Sequence, residues 1–165
     1  MAALDSRYDI IEQLANRLCD GQTMMATAES CTGGGIAQAL TSVAGSSAWF
    51  DAGFVTYSNQ AKSRMLGVAA EAIAEHGAVS KVVVGQMVSG AISNSEASYA
   101  VAVSGVAGPG GGSPDKPVGT VWIAWGSASD IEAECFLFDG DRDAVREQTI
   151  DTALQRLLTF LDEQP

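Results

Sequence analysis

Residues 23–35 read TMMATAESCTGGG. The first six form a short apolar stretch that reads as a strand. Three glycines follow, and then Ile36, Leu40 and Val43 mark one face of a helix. A strand that turns through glycine into a helix is a building unit of layered α/β folds. The same stretch places Ser30 and Cys31 side by side just before the glycines. It therefore raises a chemical question together with a structural one: whether a nucleophile stands on that turn, and what would take its proton.

Outward from this unit, hydrophobic periodicity supplies the other elements. Ile10, Ile11, Leu14 and Leu18 share a face of a helix over Tyr8–Cys19, closed by Gly21. The stretch AWFDAGFVTYS, residues 48–58, is rich in aromatic and β-branched residues and predicts a strand. Two short helices are expected at 59–66 and 69–76, and Ser80 caps a helix running to about Ser93. YAVAVSG (99–105) predicts a buried strand. Residues 105–119 then hold six glycines and three prolines and form a loop. GTVWIAWG and EAECFLF are close enough to pair as a hairpin. The last helix starts near Asp141 and buries Ile150, Ala153, Leu154, Leu157, Leu158 and Leu161. The expected fold is a single three-layer α/β/α domain over residues 1–165, with a mixed central sheet.

The net charge of −11 argues against a nucleic-acid backbone or an anionic membrane as partner. An anionic small molecule would need a local basic or backbone N–H site. Cys19, Cys31 and Cys135 are odd in number and scattered, so neither a disulfide framework nor a zinc ribbon is expected. The N-terminus has no signal-peptide pattern and no apolar run reaches the length of a membrane span, so a cytoplasmic location is expected. A homo-oligomer is expected on general symmetry grounds alone.

Elimination narrows the chemistry. The single histidine, His76, precedes Gly77 at the end of a helix, where an imidazole suits the helix dipole. Common metal-ligand sets, the G-x-S-x-G elbow, G-x-G-x-x-G and the Walker A motif are all missing. A serine nucleophile is left with a lysine base, chosen from Lys62, Lys81 and Lys116. Lys81 follows a helix cap and Lys116 sits in the glycine loop. Lys62 lies just past a strand end, five residues after Tyr57, where α/β sheets place their sites. A lysine is a base only when neutral, and full burial lowers its pKa by up to ~3–5 units. An exposed helix lysine is the alternative.

Four stretches taken together, TAESCTGGG, FVTYSNQAK, SGVAGPGGGSPDKPVGTV and GDRDAVR, resemble the CinA C-terminal domain family. The resemblance spans residues 8 to 160. It implies a metal-independent and cofactor-free serine amidohydrolase acting on the carboxamide of nicotinamide mononucleotide, in pyridine-nucleotide recycling. By the same resemblance, Ser30 matches the nucleophile, and Tyr57 and Lys62 match the tyrosine and lysine of the Y-S-N-x-x-K motif. The N-terminal domain of fused family members has no counterpart, and no activity of that domain is carried over.

The residues fit that chemistry. An amide needs an activated hydroxyl and a place for negative charge on oxygen. Lys62 would take the Ser30 proton and return it to ammonia, with Tyr57 relaying or orienting it. Backbone N–H groups of Cys31, Thr32, Gly33 and Gly34 would bind the oxyanion at the helix start, with Thr32 as helix cap. Cys31 is a rival nucleophile, since a thiolate at a helix N-terminus is reactive. Ser104 and Gly105 open the glycine loop, which is either an anion-binding nest or a flexible connection. Arg142 and Arg146, at i and i+4, either pair with Asp143 or Glu147 on the surface or reach a substrate phosphate. Two other functions stay open: a non-catalytic nucleotide-binding module linked to competence or damage responses, and the same amidase chemistry on another amide.

Overall fold

The computed structural model describes residues 2–165, with side chains from residue 6 onward. Along the chain run α1 (Ala2–Asp20), β1 (Met25–Glu29), α2 (Gly35–Thr41), a 3-10 turn (Ser46–Ala48) and β2 (Phe50–Val55). Then come α3 (Asn59–Leu66), α4 (Ala70–His76), α5 (Lys81–Ser93) and β3 (Tyr99–Gly105). The chain closes with β4 (Thr120–Ser127), β5 (Ile131–Leu137) and α6 (Arg142–Asp162).

The strands form one sheet in the order β2-β1-β3-β4-β5. β1 runs parallel to both β2 and β3, while β3–β4 and β4–β5 are antiparallel. The pairing of β1 with β2 carries one irregularity: Met25 faces Phe50, but Ala26 faces Ala52, so Asp51 is skipped. This is the three-layer α/β/α architecture with a mixed sheet that the sequence predicts. β2 is shorter than the expected 48–58, because residues 46–48 are used in the 3-10 turn and the chain leaves the sheet at Thr56 to reach the Ser58 cap of α3. Among the described residues, no helix is long and apolar enough to cross a membrane.

The two faces of the sheet differ in side-chain size, and this decides how the helices sit. One face presents Met25, Val101, Val103, Val121, Ile123 and Trp125 to α1, α2 and α6. The other presents alanines at its centre, Ala26, Ala28, Ala100, Ala102 and Ala124, to α5 and to Leu66 of α3, with Phe54, Trp122 and Ile131 partly buried against the same cluster. Strand alternation produces this split. Small side chains let α5 approach closely, and Gly90 of α5 continues the theme. Its Cα abuts the backbone carbonyl of Leu66, so α3 crosses α5 with no room for a methyl group.

The layering leaves a crevice. The connection leaving β1 leads to α2 on one face, and the one leaving β2 leads to α3 on the other. Such a switch point outside the carboxyl ends of parallel strands is where open α/β sheets place ligands. Replacing Gly90 with alanine should destabilise the protein by roughly 1–3 kcal/mol through overpacking against Leu66, measured by urea unfolding at constant slope.

Candidate active site

Strand alternation continues past the end of β1 and sorts its side chains. Ala26, Ala28 and then Ser30 face α3 and α5, while Thr27 and Glu29 face α2. Ser30 leaves the strand held by two neighbouring backbone bonds: its own N–H donates to Val103 O at 3.1 Å, and Thr56 N–H donates to Glu29 O at 2.8 Å. Ser30 is buried, and its hydroxyl meets Lys62.

Lys62 is 1% exposed, so it is not the solvent-facing helix lysine that composition favours. The Ser58 hydroxyl caps α3 through Ala61 N–H, and the first turn of the helix then aims Lys62 inward. Its Nζ stands 2.9 Å from Ser30 Oγ, 2.9 Å from Thr56 O and 3.2 Å from Tyr57 O. Burial lowers its pKa from 10.5, against a smaller upward pull from Cys31. The geometry suits the neutral amine. Nζ is within donating distance of all three oxygens; in the neutral amine the two carbonyls, which can only accept, would hold its two N–H groups and leave the lone pair to the Ser30 hydroxyl. Cys31 is the opposite case. Burial pushes its thiol up to about 11, so it is protonated at neutral pH and a poor nucleophile.

Ser30, Cys31, Tyr57, Lys62, Ser104, Gly105 and Arg142 line one cavity of about 310 Å³. Asn59, Gly108, Gly110 and Gly111 line it too and were not singled out from the sequence. The glycine loop is anchored rather than loose. Arg142 Nη1 donates to Gly108 O at 2.8 Å, and Lys116 Nζ donates to His76 O at 2.8 Å, at the end of α4. Tyr57 is placed differently from the expectation. Its carbonyl, not its phenol, touches Lys62, and its hydroxyl accepts from Arg142 Nη2 at 3.1 Å at the cavity mouth.

Thr32, Gly33, Gly34 and Arg146 do not line this cavity. The expected Thr32 cap is corrected: α2 has no side-chain cap from that position, and Thr32 Oγ1 donates to Glu29 Oε1 at 2.5 Å. Glu29 performs the capping from the strand, accepting from Ile36 N–H at 2.9 Å and Ala37 N–H at 3.0 Å. The start of α2 is therefore already occupied by a carboxylate and does not face the substrate side. Arg146 reaches neither a surface carboxylate nor the cavity. Its Nε donates to Cys31 O and its Nη2 to Thr32 O, both at 3.1 Å. Glu29 escaped the sequence analysis because it sits seven residues before the amide it caps, though the alternation Ala26, Ala28, Ser30 already assigns it to the opposite face. Among the described residues, no group of three or more His, Cys, Asp or Glu side chains is arranged to hold a metal ion.

Glu29→Gln should lower stability by about 1–3 kcal/mol in urea unfolding, since an amide NH₂ would replace one acceptor oxygen in a buried cluster. Lys62 carries a pH signature. Its depressed pKa means the unfolded chain binds more protons, so stability rises with pH from the folded pKa up to the ordinary lysine value. Lys62→Met should flatten that rise in urea titrations run across the same pH range.

A sequence profile described as the CinA C-terminal domain matches residues 7–161. A protein of Pseudomonas putida named nicotinamide-nucleotide amidohydrolase PncC is 58% identical over 154 residues, covering 91% of this chain and 96% of that protein. The protein of the same name from Escherichia coli K12 is 54% identical over 149 residues, covering 88% and 89%. Among solved structures, the competence damage-inducible protein A (ComA) of Klebsiella pneumoniae superposes with a TM-score of 0.92 at 39% identity, covering 96% of this chain and 99% of that one. With a family profile over nearly its whole length and relatives this similar, the chain belongs to the CinA C-terminal domain family.

Proposed function

We propose that this chain, acting as one domain, is an amidohydrolase that converts nicotinamide mononucleotide to nicotinate mononucleotide and ammonia, with Ser30 as nucleophile and Lys62 as base. The observation that carries the reading is the 2.9 Å contact between Lys62 Nζ and Ser30 Oγ, in a buried site where two carbonyls claim the other hydrogens of the amine. The names of the Pseudomonas and Escherichia relatives support the substrate.

In the first half-reaction, Ser30 Oγ attacks the carboxamide carbon as its proton passes to Lys62. The tetrahedral intermediate collapses when Lys62 returns the proton to the departing nitrogen, and ammonia leaves. The remaining acyl ester on Ser30 is attacked by water, with Lys62 again accepting a proton and then giving it back to Ser30 as the carboxylate departs. Arg142, Gly110 and Gly111 line the cavity, where the guanidinium and the backbone of the glycine loop would meet the substrate phosphate.

Ammonia release from nicotinamide mononucleotide tests the reading. Ser30→Ala should lose at least ~10⁴-fold in kcat, and Lys62→Met about 10²–10⁴-fold. For the wild type, kcat/KM should rise with pH to a plateau, with an apparent pKa below the ordinary lysine value, because only the neutral amine is a base. Tight nucleotide binding without product would overturn the reading in favour of a binding module. Turnover of nicotinamide equal to that of its nucleotide would overturn the substrate assignment.

A further inference from the structure

We infer that Arg146 is a positioning residue which holds the Thr32 amide toward Ser30, where it would bind the oxyanion. The inference rests on the amidase reading above. Arg146 lies on α6, half-buried, and its guanidinium takes two consecutive carbonyls of the turn after β1: Cys31 O through Nε and Thr32 O through Nη2.

In a trans peptide the carbonyl and the following N–H point to opposite sides. Fixing Cys31 O toward Arg146 therefore aims the Thr32 N–H away from it. Fixing Thr32 O aims the Gly33 N–H away as well. The direction of the second amide is observed: Gly33 N–H donates to Ser30 O at 3.0 Å. The side opposite Arg146 is thus the one that carries the Ser30 backbone carbonyl. Among the described residues, no oxygen accepts from the Thr32 N–H, so this donor is left over on the Ser30 face of the turn, one residue beyond Cys31, which lines the cavity.

The turn is gripped from both faces. Glu29 holds Thr32 through its hydroxyl from the inside, and Arg146 holds the carbonyls from the outside. A preorganised donor is worth most when it needs no rearrangement at the moment charge develops. A planar guanidinium fixes two adjacent carbonyls in a way a lysine ammonium cannot. Arg146 faces a second cavity, of about 460 Å³, on the far side of the turn from Ser30. That cavity gives a small cation access to the position if the side chain is removed.

The test is steady-state kinetics of Arg146→Ala and Arg146→Lys on nicotinamide mononucleotide, with unfolding curves for both. A positioning role predicts a ~10²-fold or greater loss in kcat, little change in KM, an unchanged apparent pKa on the acid limb, and partial recovery of Arg146→Ala by added guanidinium ion. A raised KM with kcat preserved would overturn the inference and return Arg146 to phosphate binding. Wild-type kcat in Arg146→Lys would also overturn it. Protection of the Gly33 amide against hydrogen exchange should fall in both variants whatever the substrate. Unchanged protection sinks the clamp, whereas lost protection in a protein with no amidase turnover sinks only the amidase reading.

Discussion

Everything at this site depends on where the hydrogens of one amine go. Lys62 Nζ has three oxygen neighbours, and two of them are carbonyls that cannot donate. A charged ammonium would satisfy all three but bears the cost of burial. A neutral amine satisfies the carbonyls and offers its lone pair to the third neighbour. Burial lowers the pKa of the amine, and the carbonyls fix its orientation. Under the proposed reading, the two effects together would make Lys62 a directed base. A histidine relay or a metal-bound water is not needed to explain how the Ser30 hydroxyl would be activated.

The fold supports this arrangement by dividing labour between the two sides of one strand end. The α5 side is lined by alanines, which lets the helices come close and brings α3 against the Ser30 side. The α2 side takes Glu29 and closes the helix start. Two adjacent residues, a carboxylate and a hydroxyl, thereby face in opposite directions without interfering. The glycine loop and Arg142 then complete the mouth of the cavity, and Lys116 ties the loop back to the end of α4.

Much of this was legible in the sequence, and what was missed has a common cause. Periodicity located the strands and helices because burial of one face is a local pattern. Elimination narrowed the candidate bases to three lysines, and the family resemblance singled out Lys62 among them. The arginine pair shows the limit. Spacing of i and i+4 puts Arg142 and Arg146 on one face of α6, but it does not say what lies beneath. In the fold the glycine loop and Tyr57 lie under the first and the Cys31–Thr32 turn under the second, so two similar residues have different duties. Tyr57 shows the same limit: it stands five residues before Lys62 and touches it through its carbonyl, but its hydroxyl meets Arg142.

The skipped residue at the start of β2 has a consequence for how this architecture tolerates change. Beyond Asp51 the two strands march in step, from Ala26 beside Ala52 to Glu29 beside Val55, and this tail of the ladder seats Thr56 next to Ser30. An unmatched residue at one end absorbs a change of length there, so the phase of the far end survives. Gains or losses in the segment that enters β2 are therefore buffered before they reach the chemistry. The same alteration between Ala52 and Thr56 would turn every following side chain to the wrong layer.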